Sequence, residues 1–87
     1  SMGEDGHIAS LFPNHVYPEE QMVVVERYSP KPPKERVSMS YKQLNRAHYI
    51  FKLIIGESKQ KAVTLLEQNV SLPIARVNGD CEKIYHL

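Results

Sequence analysis

The chain lacks several features that mark particular classes of protein. Cys81 is the only cysteine among 87 residues. No disulfide can therefore form within the chain, and a reducing compartment is the simpler interpretation. No apolar run has the length needed to cross a bilayer, and the first residues show neither a charged leader nor an apolar signal core. From these absences we expect a soluble, cytoplasmic protein that has no membrane partner.

A strong excess of charge of either sign is also missing. The chain has 11 Lys and Arg against 10 Asp and Glu, which leaves a formal net charge of +1. It therefore has no basic field of the kind that captures nucleic acid. The histidines and Cys81 do not follow metal-ligand spacings, and Cys81 lies in the turn-like "NGDCEK" without a neighbour to activate it. We expect no nucleic acid partner, no metal, no cofactor and no cysteine nucleophile.

What is present is a succession of strand and helix patterns. Met22–Glu26 is short and β-branched, which predicts a strand. "HYIFKLII" (48–55) is nearly continuous apolar sequence, which predicts a strand buried on both faces of a parallel sheet. Lys52 interrupts this run and indicates a sheet edge or a strand end. After Gly56, "ESKQKAVTLLEQN" has helical spacing, and its predicted inward residues are Ala62, Val63, Leu65, Leu66 and Val70.

These patterns predict an α/β fold. Strand, glycine and amphipathic helix form the first half of a βαβ unit, and the C-terminal "EKIYHL" predicts a last strand. Between the first two predicted strands, Ser40 is placed to cap a short helix through "YKQLNRAHY", with Leu44 and Ala47 facing inward. Parallel sheets need more strands than are predicted here. We interpret residues 1–87 as part of one larger α/β domain with a parallel, Rossmann-like sheet and flanking helices.

The opening "GEDGH" is the first candidate site. Gly3 and Gly6 permit positive φ and close approach of the backbone to a ligand. His7 is predicted to start a short helical turn through "IASLF", where an imidazole can act as a general base near neutral pH. Asp5 can orient that imidazole or contact a hydroxyl. The alternative, which the residues alone leave open, is a turn that carries a surface histidine.

Basic residues form the second candidate site. "SPKPPKER" (29–36) is Pro-rich and presents Lys31, Lys34 and Arg36, which can bind a phosphate or remain solvated. Lys59 follows Gly56 in the first turn of the predicted helix, at the carboxyl end of a strand, where open α/β sheets bind ligands. An ordinary surface lysine is the alternative.

Several blocks of this chain resemble the 6-phosphogluconolactonases in order and spacing. They are "GEDGHIASLFP" (3–13), "SPKPPKERVSMS" (29–40), "LNRAHYIFKLIIGESKQKA" (44–62) and "LPIARV" (72–77). The resemblance covers nearly the whole chain but only the C-terminal part of that family's domain. It implies the parallel α/β sheet that the family shares with glucosamine-6-phosphate deaminases. It also implies hydrolysis of 6-phosphoglucono-1,5-lactone in the oxidative pentose phosphate pathway, without a metal.

The resemblance also implies roles for individual residues. His7 becomes the general base that activates water, and Asp5 its neighbour in the site. Lys31 becomes a phosphate or substrate contact, and Lys59 matches a lysine that contacts phosphate in the deaminases. Arg36 stands at a matching position without an assigned role. The backbone N–H groups of the loop around Gly3 and Gly6 are candidate oxyanion donors.

Some features depart from the family pattern and keep alternatives open. Ile8 stands where lactonases usually carry threonine, which leaves a glucosamine-6-phosphate deaminase or isomerase as the second hypothesis. "SLFP" and "SPKPP" favour the lactonase. A non-catalytic α/β interaction module is the third. The family's phosphate loop and an arginine of its N-terminal half do not occur in these residues, so we expect the 87 residues alone to be inactive. The resemblance further suggests fusion to, or association with, glucose-6-phosphate dehydrogenase.

Overall fold

The computed structural model describes all of residues 1–87 and contains two separate pairs of strands. Its elements in chain order are β1 (Val23–Glu26), β2 (Arg36–Met39), α1 (Tyr41–Leu44), β3 (Tyr49–Ile54), α2 (Gln60–Glu67) and β4 (Cys81–His86), with short 3₁₀ turns at Glu57–Lys59 and Pro73–Arg76. β1 pairs antiparallel with β2, and β3 pairs parallel with β4. The sequence predicted β1, β3 and β4 but missed β2, whose four residues carry no clear alternation.

β3, α2 and β4 form the parallel part of the fold. Two parallel neighbours need a long crossover connection, and α2 lies within it. On its other side β3 meets the start of the chain, where the Met2 N–H donates to the Leu53 carbonyl at 3.0 Å. The predicted α/β fold with a parallel sheet is confirmed.

The main core lies between α2, the end of β3 and the turn at 73–76. Its buried members are Met2, Ile54, Ala62, Val63, Leu72 and Ile74. Leu65 and Leu66 pack against this cluster as predicted. Val70 does not, because α2 ends at Glu67 and the chain reverses at Asn69, whose φ is 62°. The predicted helix was therefore too long at its C-terminal end.

Within these 87 residues, β3 differs from expectation in two ways. Tyr49 and Phe51 are 70% and 60% exposed, because α2 packs against one face only and none of these 87 residues covers the other. Lys52 does not mark an edge. It is buried in mid-strand, where its ammonium pairs with the Glu82 carboxylate of β4 at 2.7 Å.

Two short helical segments also differ from expectation. Ser40 does cap α1, since its Oγ accepts a hydrogen bond from the Gln43 N–H at 3.1 Å, but the helix ends at Leu44 and leaves Ala47 exposed. The helical turn expected through "IASLF" is absent. Instead, Leu11 N–H donates to the Ile8 carbonyl across a tight turn with Ala9 at φ 47°.

Candidate active site

The glycine loop lies at the carboxyl end of β3. The glycine loop consists of residues 3–7. It follows Met2, whose backbone is hydrogen-bonded to Leu53 near the end of that strand. Gly56 and the turn that precedes α2 leave the sheet at the same end. Ligands of open α/β sheets bind beyond the carboxyl ends of the strands. The fold therefore gives this loop the position of a binding site.

Within the loop, His7 and Asp5 form a close pair. The His7 Nδ1 lies 2.5 Å from Asp5 Oδ1, and the same oxygen accepts the His7 backbone N–H at 3.0 Å. An ionised carboxylate only accepts hydrogen bonds, so Nδ1 carries the proton and the neutral ring presents its lone pair at Nε2. No protein group hydrogen bonds to Nε2, and the His7 side chain is 23% exposed. This arrangement suits a general base.

The pair changes the ionisation of Asp5. Burial raises the pKa of the Asp5 carboxyl, but hydrogen bonds from the His7 side chain and backbone outweigh that effect. The pKa therefore lies below its ordinary value of 3.8, and the carboxylate is charged at neutral pH. A charged Asp5 keeps the proton on Nδ1 and stabilises the imidazolium that would form when Nε2 accepts a proton.

Both glycines of the loop are needed for steric reasons. A Cβ at Gly3 would overlap the His7 ring, so the imidazole can lie over the backbone at position 3 only because this residue is glycine. Gly6 has φ 88°, and a Cβ on it would lie 2.7 Å from Leu72 Cδ1. The loop therefore owes its shape, and the position of His7, to these two residues.

Two of the backbone N–H groups that were candidate oxyanion donors, those of Gly3 and Gly6, have partners within the loop. The Gly3 N–H donates to the His7 carbonyl at 2.8 Å, and the Gly6 N–H donates to the Gly3 carbonyl at 3.1 Å. Both groups are used in closing the loop on itself. Their bonds stiffen the turn that carries His7 instead of facing a substrate.

Lys59 reaches the beginning of the glycine loop. Its Nζ donates to the Met2 carbonyl at 2.5 Å, across 57 residues of sequence. The lysine that the sequence placed beyond a strand end is thus brought next to the loop that carries His7. A cation held there favours an anionic ligand at this end of the sheet.

The Pro-rich loop between β1 and β2 is held by Arg36. Its guanidinium donates to the carbonyls of Lys31, Pro32 and Pro33 at 3.0 to 3.1 Å. It also lies over the Phe12 ring, 5.6 Å from the centroid. Arg36 is therefore a clamp that connects this loop to the site, while the side chain of Lys31 is exposed and forms no hydrogen bond or ion pair.

Sequence reasoning missed a buried network beside His7. Phe12 is 2% exposed, and its ring centroid lies 4.7 Å from that of His7. Behind it Glu26, 3% exposed, accepts hydrogen bonds from the Tyr17 hydroxyl and from His15 Nδ1. One feature of the sequence could have predicted that Glu26 is buried. Glu26 follows Val24 by two residues in β1 and therefore shares its inward face.

A cavity of about 540 Å³ lies on the Asp5 side of the loop. Glu4 and Asp5 line it from the loop, and Ser58 and Lys61 line it from the turn and helix opposite. His7 is not among its lining residues. The cavity therefore lies beside the Asp5–His7 pair and does not enclose the imidazole. No group of three or more His, Cys, Asp or Glu side chains is arranged to hold a metal ion. None of the helices combines the length and the apolar sequence that crossing a bilayer requires.

Fold and site together define an α/β protein that presents a carboxylate-oriented histidine at the carboxyl end of parallel strands. A family model described as glucosamine-6-phosphate isomerases/6-phosphogluconolactonase matches residues 1–86. The chain belongs to this family.

Relatives of this family resemble the chain along most of its length. A 6-phosphogluconolactonase of Mycobacterium leprae is 44% identical over 90% of the chain, and a probable 6-phosphogluconolactonase 5 of Arabidopsis thaliana is 34% identical over 99%. The crystal structure of a 6-phosphogluconolactonase from Thermotoga maritima superposes with a TM-score of 0.83 at 29% identity, over 98% of the chain. The chain spans 34%, 36% and 39% of these three proteins respectively.

Proposed function

We propose that the protein carrying this chain hydrolyses 6-phospho-D-glucono-1,5-lactone to 6-phospho-D-gluconate, with His7 as the general base. The observation that carries the proposal is the Asp5–His7 pair, which keeps the proton on Nδ1 and leaves Nε2 free. The lactonases that resemble the chain supply the substrate class.

The proposed reaction needs one activated water. Nε2 of His7 takes a proton from the water as its oxygen bonds to C1 of the lactone, which forms a tetrahedral intermediate. The bond between C1 and the ring oxygen then breaks, and the imidazolium returns its proton to that oxygen. The products are a carboxylic acid, which ionises, and a free hydroxyl. A general base of this kind raises the reaction rate by about 10²- to 10⁴-fold.

The phosphate of the substrate requires cations away from the reacting carbon. We assign this role to Lys59, whose ammonium lies at the start of the glycine loop, and to Lys31, whose side chain has no protein partner. Arg36 contributes indirectly, because it holds the backbone around Lys31. Fixing the remote phosphate orients the carbonyl for attack.

Localisation and association are finer proposals. A cytoplasmic location and an association with glucose-6-phosphate dehydrogenase, by fusion or contact, both rest on the resemblance to the lactonases. Cell fractionation and co-purification of dehydrogenase activity from the native source test them separately.

The deciding experiment measures acid release from freshly prepared 6-phosphogluconolactone by the full-length protein and its His7→Ala variant. We expect fast hydrolysis that falls by about 10²-fold or more in the variant. Full activity in the variant would rule out His7 as the general base, but lactone hydrolysis would remain the function of the protein. No hydrolysis by the unmodified protein would overturn the proposed function. Ammonia release from glucosamine 6-phosphate would then identify the isomerase branch of the family.

A further inference from the structure

The ring of His7 has two supports in this structure. The hydrogen bond to Asp5 fixes the position of Nδ1, but a single bond of this kind still lets the imidazole ring rotate about the line from Nδ1 to Asp5 Oδ1. Phe12 supplies the second support, because its ring packs against the imidazole at 4.7 Å between centroids with an interplanar angle of 36°. The orientation of Nε2 therefore depends on where Phe12 is held.

Phe12 is held through its backbone by Tyr17. The Phe12 N–H donates to the Tyr17 hydroxyl oxygen at 2.8 Å, and that hydroxyl donates to Glu26 Oε1 at 2.6 Å. Tyr17 is thus both acceptor and donor, and it connects the segment that carries His7 to a carboxylate on β1. The chain of contacts runs from Glu26 through Tyr17 and Phe12 to His7.

Glu26 is the fixed end of this chain of contacts. Its carboxylate is almost completely buried, and three donors satisfy it: the Tyr17 hydroxyl, the His15 ring and the Tyr28 backbone N–H at 2.6 Å. A buried charge with several hydrogen bonds has few alternative positions, because any movement leaves part of it unpaired. The network beyond Phe12 is therefore rigid.

We propose that Tyr17 and Glu26 are positioning residues for His7, which they orient by fixing Phe12 against the imidazole. They touch neither substrate nor reacting atoms. The inference deepens the proposed function and rests on it, since His7 is the base there. Misplacement of a catalytic group by about 1 Å can lower a rate about 10²-fold. Loss of one link should accordingly slow the chemical step and leave the phosphate contacts unchanged.

The test is Tyr17→Phe in the full-length protein, which removes the hydroxyl and with it the hydrogen bonds to Phe12 and Glu26 and a longer one to the Ser10 carbonyl. We expect kcat for 6-phosphogluconolactone to fall about 10- to 100-fold with KM unchanged. Tyr28→Phe is the matched control. Its ring is 78% exposed, and only its backbone N–H, which phenylalanine retains, contacts Glu26. We expect the control to keep full kcat. Glu26→Gln, which can still accept from Tyr17, should retain more activity than Glu26→Ala.

A second readout separates this inference from the proposed function. The ¹⁵N and ¹H signals of the His7 ring, followed by NMR in the same variants, report its orientation without substrate. We expect them to shift in Tyr17→Phe and not in Tyr28→Phe, whether or not the protein hydrolyses the lactone. Unchanged His7 signals and unchanged kcat in a folded Tyr17→Phe variant would overturn the proposal. So would a loss of thermal stability that changes kcat and KM together.

Discussion

At the scale of single residues, the site depends on how Asp5 and His7 share a proton. The carboxylate accepts from both the backbone and the ring of His7, so the tautomer is set by local geometry within five residues of sequence. Glycine at position 3 leaves the space that the ring occupies. These relations are local, which is why the pattern "GEDGH" carried so much information.

The role of Asp5 can be tested by Asp5→Asn. An amide can turn its NH₂ toward Nδ1 and place the proton on Nε2, which removes the base. We expect kcat for lactone hydrolysis to fall by up to about 10⁴-fold, as wrong-tautomer variants of His–Asp enzymes do. Asp80→Asn is the matched control, because Asp80 pairs with His48 Nδ1 at 2.9 Å but is exposed and lies at the opposite end of the parallel strands. Equal losses in both variants would contradict the assignment.

At the scale of elements, the loop between β1 and β2 is shaped by one side chain. The Arg36 guanidinium collects three carbonyls of the Pro-rich segment and covers Phe12 at the same time. Lysine cannot reproduce this, since its ammonium is a point donor and not a planar fork. Arg36 therefore fixes the backbone of this loop through three hydrogen bonds.

The loop can be tested by Arg36→Lys, which keeps the charge and loses the fork. We expect KM for the lactone to rise several-fold, because the backbone around Lys31 is released, while kcat changes less. Steady-state kinetics measure this. Arg27→Lys is the control, because Arg27 is exposed and its side chain makes no hydrogen bond. An unchanged KM in Arg36→Lys would show that the loop does not contribute to substrate binding.

At the scale of the whole molecule, the buried carboxylate of Glu26 couples the folding equilibrium to pH. Burial raises the pKa of Glu26, but hydrogen bonds from Tyr17, His15 and the Tyr28 backbone bring it below its ordinary value of 4.5. The folded state then binds fewer protons than the unfolded state in this range. The contribution to stability is complete above about pH 4.5 and is lost as the pH falls toward the folded pKa.

The corresponding prediction concerns acid unfolding of the full-length protein. As the pH falls below about 4.5, we expect the free energy of unfolding to decrease more steeply in the unmodified protein than in Glu26→Gln. Urea titrations at a series of pH values measure the slope. Glu19→Gln, at an exposed position, should leave it unchanged. Parallel slopes for Glu26→Gln and the unmodified protein would contradict this role of Glu26.

The exposed face of the parallel strands gives a second prediction at this scale. Tyr49, Phe51 and Tyr85 lie on one uncovered side of β3 and β4. We expect the 87 residues produced alone to be inactive toward the lactone and to bind the dye 8-anilinonaphthalene-1-sulfonate at this surface, whereas the full-length protein should bind little. Activity of the isolated 87 residues would contradict the interpretation of the chain as part of a larger domain.

The sequence by itself determined the elements and site residues whose causes are local. The β-branched run of β1, the cap at Ser40 and the amphipathic pattern of α2 act within one or two turns of chain, as does the Asp5–His7 pair. Tertiary structure decided the rest. The contact of Lys59 with the glycine loop, the pairing of Lys52 with Glu82 and the burial of Glu26 behind Phe12 join residues far apart in sequence. Their partners become defined only when the chain folds.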